Sequence, residues 1–119
     1  MARLRRRVSE PRRGDVFWVS LDPVLGSDIQ KTRPAVIVSN DAMNRFSRRV
    51  VVLPHTSNVD RCYPGEALVS VKGKQARALG DQLRSIDKAR LRNRVDTLSQ
   101  EQMRHVDTAL AVTLALPLR

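Results

Sequence analysis

The length, composition and charge of the chain indicate one small domain with a polyanionic partner. Its 119 residues are 41% hydrophobic, which suits a single domain with a modest core and argues against disorder. We expect neither a membrane span nor a secretory signal, because no long apolar stretch occurs and none follows the basic N-terminus. The formal net charge of +10 favours nucleic acid as the partner, with an acidic protein segment as the second choice.

The cysteine and histidine content gives little support for metal or thiol chemistry. Cys62 is the only cysteine, so it cannot form an internal disulfide, which favours a reducing, cytoplasmic location. No motif around Cys62 marks it as a nucleophile. His55 and His105 are far apart and belong to no cluster with ligand spacing, so we expect no metal and no cofactor.

The basic residues are concentrated at the N-terminus. We divide the chain into a basic arm, residues 1–12, and a single domain, residues 13–119. Only Glu10 opposes the arginines of the arm. Three interpretations of the arm stay open: nucleic-acid binding without sequence preference, a contribution to solubility, or a start site upstream of the domain.

Alternating apolar and polar residues predict several short strands joined by tight turns. After the first strand, residues 24–32 form a loop long enough to cover a site. Helical turns are expected around Met43 and over residues 88–91. Gly80 indicates a bulge or a close backbone approach inside a continuing strand. The predicted strands cover residues 15–21, 35–39, 49–53, 66–71, 75–79, 81–86 and 95–98.

The chain ends in a predicted amphipathic helix. Ser99 and Gln102 have the spacing of a capping box. Four apolar residues then share one face, and burial of each would contribute roughly 1.5–3 kcal/mol; they are Met103, Val106, Leu110 and Leu114. His105 falls on the opposite, solvent-facing side. Strands followed by one helix favour a small β-barrel capped by a C-terminal helix.

Arg33 is the strongest candidate for a functional residue. Pro34 fixes its own φ angle and pushes Arg33 into an extended conformation at the mouth of the second strand. A guanidinium held in this way can bind a phosphate with two parallel hydrogen bonds. If the second and third strands form a hairpin, Thr56 meets Arg33 at one edge of the sheet.

An arginine beside a hydroxyl can stabilise the charge that develops when a ribose 2′-OH attacks phosphorus. His55 is the alternative general base, but neighbours on a strand point to opposite faces, which disfavours it if Thr56 faces the site.

Four motifs in order resemble the MazF/PemK family of toxin endoribonucleases. The resemblance covers residues 13 to 116. The opening matches in residues 13–19 (RGDVFWV), 21–23 (LDP) and 26–28 (GSD). The central motif is residues 32–39 (TRPAVIVS), the second active-site stretch is 54–57 (PHTS), and the third is 80–88 (GDQLRSIDK).

The resemblance implies an SH3-like barrel that works as a homodimer. It implies metal-independent, sequence-specific cleavage of single-stranded RNA, often at short sequences, leaving 2′,3′-cyclic phosphate and 5′-hydroxyl ends and inhibiting translation. Messenger, transfer and ribosomal RNA stay open as targets. An antitoxin with an acidic C-terminal segment would block the groove. Arg33 and Thr56 take the catalytic positions, and the expected RNA-binding residues are Asp28, Lys31, Ser57, Arg77, Asp81, Gln82, Arg84 and Ser85.

The chain departs from the family pattern at two places. Some members carry an arginine with a proposed catalytic role at the position of Leu79. Leucine cannot take that role, and Arg77, two residues away on the same strand face, is the candidate substitute. The loop at residues 58–63 (NVDRCY), which sets base preference in this family, does not give a cleavage sequence.

Two other functions are weighed against catalysis. A gyrase-poisoning relative of the same barrel class would end its helix in aromatic residues, whereas residues 114–119 (LALPLR) contain none. A barrel that binds RNA without cutting it is disfavoured by the presence of Arg33 and Thr56.

Overall fold

The computed structural model describes residues 10–21 and 32–117. Most of the arginine arm, the loop at residues 24–31, Asp28 and Lys31 lie outside the described residues. Within the described part, the strands are β1 (Asp15–Ser20), β2 (Thr32–Ile37), β3 (Arg49–Thr56), β4 (Glu66–Val71), β5 (Lys74–Leu79), β6 (Arg84–Asp87) and β7 (Leu91–Thr97). The helices are α1 (Asp41–Phe46) and α2 (Gln100–Leu114), and short 3₁₀ turns occupy Gly80–Gln82 and Lys88–Arg90.

The strands form one antiparallel sheet that curls into a half-barrel. Their order is β4-β5-β3-β2-β1-β7, and β6 pairs with the first half of β3. Helix α2 packs against β4 and the 3₁₀ turn Gly80–Gln82. The predicted barrel-like sheet with a C-terminal helix is therefore confirmed.

Both faces of the central strands are buried. Val16, Val36 and Leu53 belong to the apolar cluster that contains residues of α2, whereas Phe17 and Val19 belong to a second cluster on the other face. Because successive residues of a strand point to opposite faces, the two clusters alternate along each strand. Val16 is fully buried on the α2 side, so β1 contributes to both clusters.

The second and third strands are longer than the sequence predicted. β2 begins at Thr32, so that Arg33 and Pro34 lie inside the strand, and β3 continues through His55 to Thr56. The prolines suggested strand ends, because proline cannot donate to a ladder. Pairing with outer neighbours extends both strands nevertheless: Arg33 with Val19 of β1, and Thr56 with Arg77 of β5.

The Gly80 region is a 3₁₀ turn and not a continuing strand, so that β6 begins only at Arg84. The predicted close approach at Gly80 is confirmed. The Gly80 N–H donates to the Gly65 carbonyl at 3.0 Å, and a Cβ atom on Gly80 would lie 2.1 Å from that oxygen. Glycine is required here because there is no room for a side chain.

Helix α2 begins as predicted but buries a shorter face. The Ser99 hydroxyl accepts the Gln102 N–H at 3.2 Å, whereas the Gln102 side chain accepts from the Ser70 backbone instead of completing the capping box. Met103 and Val106 are buried, but Leu114 is 49% exposed, which corrects the prediction that it packs inward. His105 is exposed as expected.

The described part of the chain contains no helix long and apolar enough to cross a bilayer.

Candidate active site

The hydrogen-bonded ladder between β2 and β3 ends at two prolines. The last paired positions are Ala35 and Pro54, and Pro34 stands next to Ala35. Because neither proline has an N–H to donate, the two strands lose ladder bonds at this point. Both strands continue beyond it, held by β1 and β5 on their outer sides. The result is an interrupted ladder at the ends of two otherwise rigid strands.

Arg33 and Thr56 flank this interruption. Extending the register of Ala35 with Pro54 by two residues sets Arg33 directly opposite Thr56. The Thr56 hydroxyl oxygen accepts the Asn58 N–H at 3.3 Å. A hydroxyl has one donor and two acceptor positions, so this bond orients the oxygen and leaves its proton for a ligand. The predicted meeting of these two residues at one edge of the sheet therefore agrees with the register.

A cavity of about 470 Å³ opens between them. Its volume lies in the range of small-molecule sites in proteins. The floor and walls are largely apolar, and the mouth is polar. The cavity is lined by Trp18, Thr32, Arg33, Pro34, His55, Thr56, Ser57, Val71, Lys72, Lys74, Gln75, Ala76 and Val95.

The mouth of the cavity is cationic. Arg33, Lys72 and Lys74 line it, and none of the described lining residues carries a carboxylate. Lys72 and Lys74 come from the turn between β4 and β5, and both are exposed. Three positive charges around one opening attract an anion and focus it on this site.

His55 forms part of the cavity floor. His55 as a whole is 1% exposed, and neither ring nitrogen has a hydrogen-bond partner among the described residues. Burial lowers the pKa of His55 to about 4, so the imidazole is neutral at pH 7. The sequence disfavoured a shared site for His55 and Thr56, but both residues line this cavity.

The other predicted RNA-binding residues lie in different places. Ser57 lines the cavity beside Thr56. Arg84 and Ser85 pair with Val52 and Val51 of β3, four or more residues from Thr56 and thus about 13 Å along the strand. Asp81 and Gln82 belong to the 3₁₀ turn before β6. The contribution of these four residues to RNA binding stays a prediction.

Arg77 is not among the residues that line the cavity. Its guanidinium donates to the Arg61 carbonyl at 2.6 Å and lies 3.5 Å from the Glu66 carboxylate. These contacts tie β5 to the loop at residues 58–63. The structure thus gives Arg77 a role in holding that loop, and its suggested replacement of an arginine at position 79 stays a prediction.

Sequence reasoning missed the residues that complete the cavity. Trp18, Lys72, Lys74 and Gln75 line it, but Trp18 and Gln75 were treated as strand residues and the two lysines as part of a turn. Only the alternation in β1, which sets Trp18 on the face opposite Phe17, gave a usable signal.

The fold and the cavity define a small β-barrel protein with a cationic cleft suited to a phosphate chain. Residues 12–114 match the family model described as PemK-like, MazF-like toxin of type II toxin–antitoxin system. The chain belongs to this family.

Known relatives agree with this assignment. Endoribonuclease EndoA of Bacillus subtilis (strain 168) is 36% identical over 110 residues, covering 88% of this chain and 95% of the relative. An endoribonuclease from a mycobacterial species, solved in complex with its cognate antitoxin, is 26% identical with a TM-score of 0.77, covering 92% of this chain and 99% of that one. MazF from Deinococcus radiodurans is 25% identical with a TM-score of 0.78, covering 88% and 96%.

Proposed function

We propose that this protein is the toxin of a type II toxin–antitoxin system, an endoribonuclease that cuts single-stranded RNA at the Arg33–Thr56 cavity and so inhibits translation. The observation that carries the proposal is that Arg33 and Thr56 line one cationic cavity, in a chain that belongs to a family with endoribonuclease members.

The cavity suits cleavage by the neighbouring ribose. The 2′-oxygen forms a bond to phosphorus and loses its proton, while the bond from phosphorus to the 5′-oxygen breaks and that oxygen gains a proton. The products are a 2′,3′-cyclic phosphate and a 5′-hydroxyl. This transfer within one strand is balanced without a metal, a water molecule or a cofactor.

Arg33 and Thr56 stabilise the charge that develops in this step. The guanidinium places two N–H groups against the non-bridging phosphate oxygens, and the Thr56 hydroxyl donates a third hydrogen bond. Both side chains are half-buried, where such bonds are stronger than in water. Lys72 and Lys74 hold the adjoining phosphates, and Ser57 contributes a further donor at the mouth.

The positive charge of the cleft also indicates which protein partner would bind there. The antitoxin proposed for this toxin carries an acidic C-terminal segment that competes with RNA for the cationic cleft. We further propose a homodimer in the cytoplasm. Val112, Leu114 and Leu116 are 44%, 49% and 53% exposed, which supplies an apolar surface for a partner at the end of α2.

The test is cleavage of a long RNA by purified protein in EDTA, with primer-extension mapping and analysis of the new ends. The matched control for Arg33→Ala is Arg104→Ala, which removes the same charge from an exposed position on α2. Defined cuts by wild type and Arg104→Ala, absent with Arg33→Ala, support the proposal. RNA that is bound but stays intact with folded, antitoxin-free wild type, across messenger, transfer and ribosomal RNA, would overturn it in favour of binding alone.

A further inference from the structure

The row of residues next to Arg33 and Thr56 combines an exposed aromatic ring, a proline and a buried imidazole. Trp18 of β1 pairs with Pro34 of β2, and the β2–β3 register sets Pro34 opposite His55 of β3. Cross-strand partners share a face of the sheet. Trp18, Pro34 and His55 therefore lie on one face. The next row along the strands holds Arg33 and Thr56 and belongs to the opposite face, but all five residues line the cavity where the β2–β3 ladder ends.

The chemistry of this row differs from that of the mouth. Trp18 is 42% exposed although it lies beside a cavity, so one part of its indole is available for stacking. Pro34, Val71 and Val95 supply apolar walls around it. Of the three cationic lining residues, Lys72 and Lys74 are exposed, and Arg33 is half-buried. A flat, aromatic group fits the interior, and a phosphate fits the rim.

His55 is the one polar side chain at the floor whose hydrogen bonding is incomplete among the described residues. Both of its ring nitrogens are buried without a partner. A buried polar group left unpaired is costly, and such groups in native proteins call for an explanation. A neutral imidazole has one donor and one acceptor, which matches the edge of a nucleobase better than it matches a phosphate.

We infer that this cavity holds a nucleobase next to the scissile phosphate, stacked on Trp18 and hydrogen-bonded at its edge by His55. The inference rests on the proposed function, because the base is fixed by the phosphate that Arg33 and Thr56 bind. The Cα atoms of Trp18 and Thr56 are two strands and one residue apart, about 10 Å, so one nucleotide spans the distance. His55 then acts as a specificity residue, and its neighbours, Trp18 first among them, shift to admit the base.

The first experiment is cleavage-site mapping on an RNA library with wild type, His55→Leu and His55→Gln. We expect His55→Leu to lose the preference for one base at a single position beside the cut, by roughly 10- to 100-fold in relative rate, because a site hydrogen bond to the base is removed. His55→Gln, which keeps a donor and an acceptor, should retain a preference or change it. If all sites slow by a common factor, or if relative rates stay as in wild type, the inference is wrong.

The second experiment uses the fluorescence of Trp18, the only tryptophan of the chain. A single-stranded oligonucleotide with 2′-deoxy residues, which has no 2′-oxygen to attack phosphorus, is titrated into the wild-type protein while its binding is followed separately by anisotropy of a label. Quenching that saturates with binding supports stacking, and Trp18→Leu should weaken binding roughly 10- to 100-fold, with Trp18→Phe closer to wild type. Saturated binding without any change in Trp18 emission overturns the stacking part.

The two proposals fail in different ways. If wild type cuts no RNA, the proposed function fails. If wild type cuts RNA but His55→Leu and Trp18→Leu leave site preference and affinity unchanged, only the base site fails. Circular dichroism and the urea midpoint of each variant separate these results from loss of folding.

Discussion

Arg33 lies opposite Thr56 when the β2–β3 register is carried two residues beyond its last paired position, Ala35 with Pro54. The relationship depends on two prolines that interrupt the ladder and on two outer strands that keep both residues extended. The site is therefore built on strands and not on loops, which is the more rigid way to hold a guanidinium against a hydroxyl.

Replacement of Arg33 tests the dominant electrostatic contribution. Arg33→Ala should lower the cleavage rate at least about 10³-fold, because two donors to the developing charge are lost. Arg33→Lys keeps the charge but not the fork, so it should recover only a small part of the rate. Single-turnover rates on a short RNA containing one mapped site provide the measurement. An Arg33→Lys protein with wild-type rate would contradict the bidentate role.

Replacement of Thr56 tests the hydroxyl donor. Thr56→Ala should reduce the rate by roughly 10²–10³-fold with little change in RNA affinity, since the bond forms mainly in the transition state. Thr56→Ser retains the oxygen that accepts the Asn58 N–H and should keep most of the activity. The measured quantities are the single-turnover rate and the dissociation constant for an uncleavable RNA. Equal rates for the alanine and serine variants would argue against a role for the hydroxyl.

A stability prediction concerns Gly80. A Cβ atom there would lie 2.1 Å from the Gly65 carbonyl and 2.4 Å from the Thr113 hydroxyl, so Gly80→Ala should lower the free energy of unfolding by about 2 kcal/mol or more. The control is Gly73→Asn, where no atom lies within 4 Å of a Cβ and asparagine tolerates the positive φ of 77°. Urea denaturation compares the two variants. Equal stability of both would show that the 3₁₀ turn relaxes.

The pH dependence of stability follows from His55. Burial lowers its pKa from 6.5 to about 4, so between these values the unfolded chain binds a proton that the folded chain does not. The folded state therefore keeps its full stability with respect to His55 above pH 6.5, and its free energy of unfolding decreases as the pH falls towards 4. We expect a loss of up to about 2 kcal/mol between pH 7 and pH 5, absent in His55→Leu.

Urea midpoints at pH 7 and pH 5 measure this loss, with His105→Leu as the control at an exposed histidine. The carboxyl groups of Asp41 and Asp96 do not confuse the comparison. The backbone N–H of Arg13 lowers the pKa of Asp41, and that of Lys72 lowers the pKa of Asp96, both from 3.8, so their stabilisation is lost only at still lower pH. A pH response in His55→Leu equal to that of wild type would assign the effect elsewhere.

The order of elements was predictable because it depends on local chemistry. The alternation of β4, the Ser99 cap and the spacing of Met103 and Val106 in α2 are all set by neighbouring residues. Strand ends at prolines were predicted wrongly for β2 and β3, because pairing with an outer neighbour compensates for the missing N–H. No local pattern reports such a neighbour.

The sequence by itself determined that the chain is a small basic barrel with a terminal helix and that Arg33 and Thr56 are its functional candidates, since charge, periodicity and motif order are properties of the chain alone. Tertiary structure decided what surrounds them. Trp18, Lys72, Lys74 and His55 come from segments far apart in sequence, and only the curl of the sheet joins them into one cavity. The burial that keeps His55 neutral is likewise a property of the packed fold.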